Sequence, residues 1–183
     1  MDMDELILEE CEEKMQKSVD AFQKELVTIR TGRANPRMLD SVEVEYYGMA
    51  TPLNQIAGIS VVEGRQLMIK PYDKGSLKDI ERAIFAANLG LTPQNDGAVI
   101  RINIPPLTEE RRREFVKQVK KLAENGKVAI RNIRRSINND LEKEDKDEDI
   151  LKDNKKTVQE YTNKYIKKID EIAAAKEKDL MTV

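Results

Sequence analysis

Downstream of Pro105-Pro106, the residues up to Leu141 carry one unbroken apolar helical stripe, and it limits the fold more than any other feature of the chain. The two prolines forbid a helix before it, Thr108 suits an N-cap, and Glu109 and Glu110 fall in the first turn, where the helix dipole favours anions. Phe115, Val119, Leu122, Ile130, Ile133, Ile137 and Leu141 recur at steps of three and four, with one step of eight, twice four, across Gly126. Asn125-Gly126 normally signals a turn, but a turn would reset the helical phase, and the phase is the same on both sides. The spacing therefore predicts one continuous helix. It accepts a glycine at a cost of roughly 1 kcal/mol, and the glycine suits the close approach of a neighbouring helix.

A one-sided helix has to be covered. Two further stripes can do it. Over 3–30, Leu8, Cys11, Met15, Val19, Phe22, Leu26 and Ile29 hold the helical period; over 150–181, Leu151, Val158, Tyr161, Tyr165, Ile169, Ile172 and Leu180 resume it, after a charged helix end and loop at 142–149. Three such helices most simply make a three-helix bundle. Thr31-Gly32 should end the first, with Gly32 left-handed at C′, and Asn35 should cap a short turn opened by Pro36.

Residues 41–104 differ in character. Alternation predicts a strand at 42–46 ending in Tyr47-Gly48, a turn at 52–55, and extended runs at 56–62, 66–70 and 99–104. Ser76 should cap a helix at 77–89 stopped by Gly90, and 93–97 reads as a loop. The chain is thus α+β and mostly α. Residues 1–30 and 107–183 form the bundle, and a small β/α/β domain at 31–106 is inserted through two linkers, 31–36 and 104–107. Thr31, Gly32, Arg33, Ile104, Pro105 and Pro106 are the expected hinge.

The long helix has a second face. Arg113, Lys117, Lys120, Lys127, Arg131, Arg134, Arg135 and Asn138 fall within an arc of roughly 100° away from the stripe's centre and run roughly 38 Å, interrupted by Glu124. Most charge runs are only solvated faces. Here the charge is segregated: residues 107–141 hold ten Lys/Arg against five Asp/Glu, whereas 1–30 hold four against nine. Arginine suits bidentate phosphate contact, and a net charge of only −2 means that any nucleic-acid contact must be local.

Catalysis finds little support. There is no histidine, Cys11 sits in a helical stripe where packing explains it, and Gly32, Gly48 and Gly64 are isolated turn glycines. The acidic cluster Asp145, Asp147, Glu148, Asp149 lacks calcium-loop spacing, so no metal, cofactor or small-molecule substrate is expected. Tyr46-Tyr47 could stack on RNA, although a core or rim role accounts for the pair as well. With no signal-type or membrane-spanning run, the chain is expected to be soluble and cytoplasmic. A coiled-coil scaffold would use the stripes for self-association; a bundle satisfies them within a monomer.

Four motifs add a family resemblance. Ile29-Arg30-Thr31-Gly32-Arg33-Ala34-Asn35-Pro36, Val44-Glu45-Tyr46-Tyr47-Gly48 with Thr51-Pro52-Leu53, Pro105-Pro106-Leu107-Thr108-Glu109-Glu110-Arg111-Arg112, and Val128-Ala129-Ile130-Arg131-Asn132-Ile133-Arg134-Arg135 resemble ribosome recycling factor across the whole chain. Met49-Ala50 after the second motif is a small departure. The resemblance implies an L of a three-helix bundle and a hinged β/α/β domain, roughly of transfer-RNA shape. It also implies a role after termination: with elongation factor G and GTP, the factor splits the ribosome from messenger and transfer RNA. The bundle would dock on large-subunit ribosomal RNA through Arg131 and Arg134, with Arg30 and Arg33 as further contacts near the hinge. Arg135, Lys127, Lys120 and Lys117 of the same row complete the candidate set. The short start before the first helix is similar to the bacterial form.

Overall fold

The computed structural model describes residues 2–182. Helix α1 (Met3–Val27) is followed by a 3-10 turn (Pro36–Leu39), hairpin strands β1 (Glu43–Tyr46) and β2 (Met49–Pro52), and a one-turn helix α2 (Leu53–Ile56). Then come β3 (Ala57–Val62), β4 (Gln66–Pro71), α3 (Leu77–Ala86), β5 (Pro93–Asn95), β6 (Ile100–Asn103), α4 (Glu109–Glu144) and α5 (Glu148–Met181). The chain divides into two compact units: Met1–Ile29 with Glu110–Val183, and Arg30–Glu109.

The first unit is three helices around one core. Side-chain contacts give their directions. Asn154 and Lys168 of α5 reach Asp4 and Gln16 of α1, so α1 and α5 run parallel. Lys155, Gln159 and Asp170 of α5 meet Glu142, Arg134 and Lys127 of α4, so α4 runs against α5. Val119, Ile130, Ile137 and Leu141 are fully buried along the predicted stripe of α4. The helix passes Gly126 without a break. A Cβ there would lie 3.2 Å from Ile169 Cδ1 of α5 and 3.9 Å from Phe22 Cβ of α1, so this glycine is where both neighbours press on α4. Gly126→Ala should leave thermal stability nearly unchanged: the end of Ile169 has to shift by a few tenths of an ångström, and alanine returns about 1 kcal/mol of helix propensity. Gly126→Leu has no such room. It should lower the melting temperature by about 5 °C or more, and a wild-type melt would show that the contact does not set the helix spacing.

Several expectations are corrected by packing. The α1 stripe turns on Ile7 rather than Leu8, and α5 adds Thr162 and Ala173 to the core while Tyr161 and Ile172 are only half-buried. The hydroxyl of Thr162 donates to the Val158 carbonyl at 2.8 Å, which is why a polar residue is tolerated there. Helix α1 stops at Val27, not at Thr31-Gly32. Thr28 closes it by donating both its amide and its hydroxyl to the Glu25 carbonyl. Its start is a capping box between Asp2 and Glu5. Cys11 is fully buried, and burial pushes its thiol up to about 11, leaving it protonated at neutral pH.

Where α1 begins, one amide joins two carboxylates: Asn154 Nδ2 donates to Asp4 Oδ2 and to Asp145 Oδ2, both at 3.1 Å. Desolvation, and then the Asp145 carboxylate beside it, raise the Asp4 carboxyl above its ordinary 3.8. A raised acid pKa means that the folded chain holds the proton more tightly than the unfolded one. Its stabilising contribution is therefore full below 3.8 and lost as pH rises through the folded value. Asp145→Asn should raise the melting temperature at pH 7, and the gain should vanish in melts below the ordinary aspartate value. A variant less stable at pH 7 would show that the two carboxylates do not destabilise the fold there.

The second unit pairs β1 with β2 as a hairpin and builds an antiparallel sheet in the order β3-β4-β6-β5. Leu67 faces Ile102 and Ile69 faces Ile100, all four fully buried beneath Ile80 and Ile84 of α3. Arg101 and Asn103 alternate outward, where both meet Gln66. Two strands depart from expectation: Met49–Pro52, where only a turn from Pro52 is expected, and Pro93–Asn95, inside the expected loop at 93–97. Each pairs on one side only, β2 with β1 and β5 with β6, and an edge tolerates proline. The segment expected as a turn is α2. Helix α3 ends at Ala86, short of Gly90, and Ser76 does not cap it by side chain; its hydroxyl donates to the Asp73 carbonyl at 2.6 Å. Tyr47, at φ 49°, and Gly48, at φ 80°, form the hairpin turn. The turn leaves Tyr47 exposed, with its hydroxyl donating to Asp73 at 3.1 Å.

Candidate nucleic-acid interface

Because α4 is one helix, its basic residues share a surface, but they do not share an environment. Arg113, Lys117, Lys120 and Arg135 are exposed, and Lys127, Arg131 and Arg134 are half-buried. The division follows the edge of α4 that borders α5. Lys127 Nζ sits 3.0 Å from Asp170 and 3.7 Å from Glu124, with its side chain only 21% exposed. Internal carboxylates already occupy it, so it is the weakest member of the row. Arg134 Nη1 donates to Gln159 Oε1 at 3.3 Å, and Gln159 in turn donates to Asn163 Oδ1 at 2.9 Å. This neutral amide ladder orients Arg134 without neutralising it. Arg131 has one carboxylate partner, Glu124, at 3.6 Å. A solvated pair of that length is weak and exchanges readily for a phosphate. Lys117, Lys120 and Arg135 make no ion pair with a described residue. Gln159 and Asn163 were not foreseen. Their i, i+4 spacing was visible, but nothing local says which α4 residue they meet.

The remaining candidates lie in the other unit. Arg33 is exposed; Arg30 is half-buried with its guanidinium against Gly90. Gly32, at φ +78°, is buried, and a Cβ there would meet Leu107 N at 3.1 Å, Leu107 Cγ at 3.3 Å and Pro106 Cα at 3.7 Å. The segments after α1 and before α4 therefore touch at this glycine. Thr31 and Arg33 flank it, whereas Ile104 is anchored: it is 3% exposed, belongs to the sheet core, and donates its amide to Arg65 O at 2.8 Å. Among the described residues no group of three or more Cys, Asp or Glu side chains could hold a metal ion, and no helix is long and apolar enough to cross a membrane.

The sequence model of the ribosome recycling factor family matches residues 22–181. The chain belongs to the ribosome recycling factor family. It is 57% identical over 181 residues to the ribosome-recycling factor of Bacillus licheniformis, covering 97% of this chain and 98% of that one. It is 54% identical over 185 residues to that of Bacillus subtilis, covering 99% and 100%. The solution structure of a ribosome recycling factor superposes with a TM-score of 0.86 at 39% identity over the full length of both chains. A second structure, a Thermus thermophilus ribosome recycling factor placed with Escherichia coli elongation factor G on the E. coli post-termination complex, gives 0.67 at 42% identity, covering 98% and 99%. Ribosome recycling is accordingly the function of this chain, and a ribosome recycling factor carries the basic α4 face described above.

Proposed function

We propose that this recycling factor docks on large-subunit ribosomal RNA of the post-termination ribosome through the basic face of α4. Arg131 and Arg134 are its principal contacts. Arg135, Lys120, Lys117 and Lys127 extend the footprint along the helix, and Arg30 and Arg33 add contacts from the other unit. Bound there, the chain works with elongation factor G and GTP to split the subunits and release messenger and transfer RNA. The observation that carries this reading is the segregated cationic row on a single continuous helix, in which Arg134 is held by amides instead of carboxylates. Its work is mechanical, not catalytic. The chain acts in the cytoplasm as a monomer, since its three apolar stripes cover one another within one bundle.

The hinge falls on Thr31, Gly32, Arg33, Pro105 and Pro106, with Ile104 as the fixed point from which the second segment leaves the sheet. Post-termination ribosomes incubated with the chain, elongation factor G and GTP should separate into subunits, as followed by light scattering. Separation no faster than without the chain refutes the reading.

A further inference from the structure

Arg30, the first residue of the sheet unit, makes no side-chain ion pair or hydrogen bond with a described residue. Its guanidinium lies against the backbone of Gly90, where a Cβ would sit 3.3 Å from Nη2, 3.7 Å from Nη1 and 3.9 Å from Cζ. Nη2 would be tight against any side chain at 90, and Nη1 and Cζ would be in van der Waals contact with it. The loop beneath is shaped for this: Asn88 at φ 51° and Gly90 at φ 70° are both left-handed, and Leu91, 6% exposed, anchors the next position in the core. Two separate requirements, a positive φ and an open face, meet at one glycine. Gly48, Gly64 and Gly97 meet only the first, because nothing lies within 4 Å of a Cβ at any of them.

We propose that Gly90 is a positioning residue for ribosome docking: it forms the flat seat that holds the Arg30 guanidinium ready for an RNA phosphate. This rests on the reading of Arg30 as an RNA contact. A long side chain held in place before binding loses less freedom on binding, so the seat contributes affinity without touching the RNA. A Cβ at 90 would lift the plate and turn its donors away.

The test uses the full chain and isolated large ribosomal subunits, with binding measured across a salt series. Arg30→Ala should weaken binding about tenfold, the loss of one charge-assisted contact. It should also flatten the slope of log affinity against log salt by about 0.7–0.9, one phosphate's share. Gly90→Ala should lower affinity several-fold and flatten the slope in the same direction, and adding Arg30→Ala to it should bring little further loss. Gly97→Ala, at φ +92° with open space around it, controls for backbone strain and should leave the slope unchanged. If Gly90→Ala does not fold by circular dichroism, Gly90→Asn replaces it, since asparagine tolerates the left-handed region but still carries a Cβ. If Arg30→Ala weakens binding while the Gly90 variant behaves like Gly97→Ala, or if the Arg30 and Gly90 effects add, the seat is refuted and the Arg30 contact stands. If Arg30→Ala itself binds as wild type, the contact fails, and the seat with it.

Discussion

Replacing Arg131 and Arg134 together by alanine weakens binding to isolated large ribosomal subunits by about 2 kcal/mol or more, at roughly 1.5–3 kcal/mol for each hydrogen bond to a charged group. Neither residue belongs to the buried apolar core. Arg131 gives up only a 3.6 Å pair with Glu124, and Arg134 one bond to Gln159. Alanine is the better helix former at both sites, so helicity by circular dichroism should be unchanged. The salt dependence should flatten with the affinity, because fewer phosphates are neutralised. Lys127→Ala is the informative contrast: Asp170 and Glu124 already occupy its ammonium, so it should reduce binding far less. A folded double variant with unchanged affinity and slope would make the row a solvated face and move the docking surface elsewhere.

Gly32 is the second position where a large effect is expected, on splitting and not on docking. At φ +78° alanine pays the left-handed penalty, about 1–2 kcal/mol. Its Cβ would also stand 3.1 Å from the backbone nitrogen of Leu107, an atom that cannot swing away as a side-chain end can. Gly32→Ala must therefore part the two segments that touch there. Gly32→Pro goes further, since proline fixes φ near −65° and cannot adopt this conformation at all. Both should cut splitting with elongation factor G and GTP by about tenfold or more, equivalent to 1.4 kcal/mol on the barrier. Binding to large subunits should fall far less than splitting, because the principal contacts, α4 and its arginines, are untouched. Loss of both Pro105 and Pro106 should act in the same direction. Variants that dock and split normally would make these residues plain spacers. An equal fall in docking and splitting would point to a folding defect instead.

The helices were legible in the sequence because helical periodicity is a local property. Seven apolar residues in phase across Gly126 are enough to exclude a turn, and α4 is continuous there. The buried strand centres were legible for the same reason, since alternation at 42–46 and 99–104 needs no knowledge of the partner strand. The α4 cations could be placed on one face from their numbers alone. The fine choice within each stripe was not legible. Ile7 against Leu8, and Thr162 and Ala173 against Tyr161 and Ile172, differ by about 100° of helix rotation, and only the neighbouring helices fix that angle. Short edge strands were missed because one-sided pairing admits the prolines that otherwise mark loops.

The environment of the candidate site belongs to tertiary structure altogether. Lys127 and Arg134 look alike in the sequence, yet α5 gives one an aspartate and the other a glutamine. Gly32 and Gly90 read as helix stops, yet one meets the backbone of Leu107 and the other the Arg30 guanidinium, partners about 75 and 60 residues away along the chain. Such pairings depend on the register between segments distant in sequence. No local periodicity encodes that register; it is set when the cores close and each side chain meets the one neighbour that packing leaves beside it.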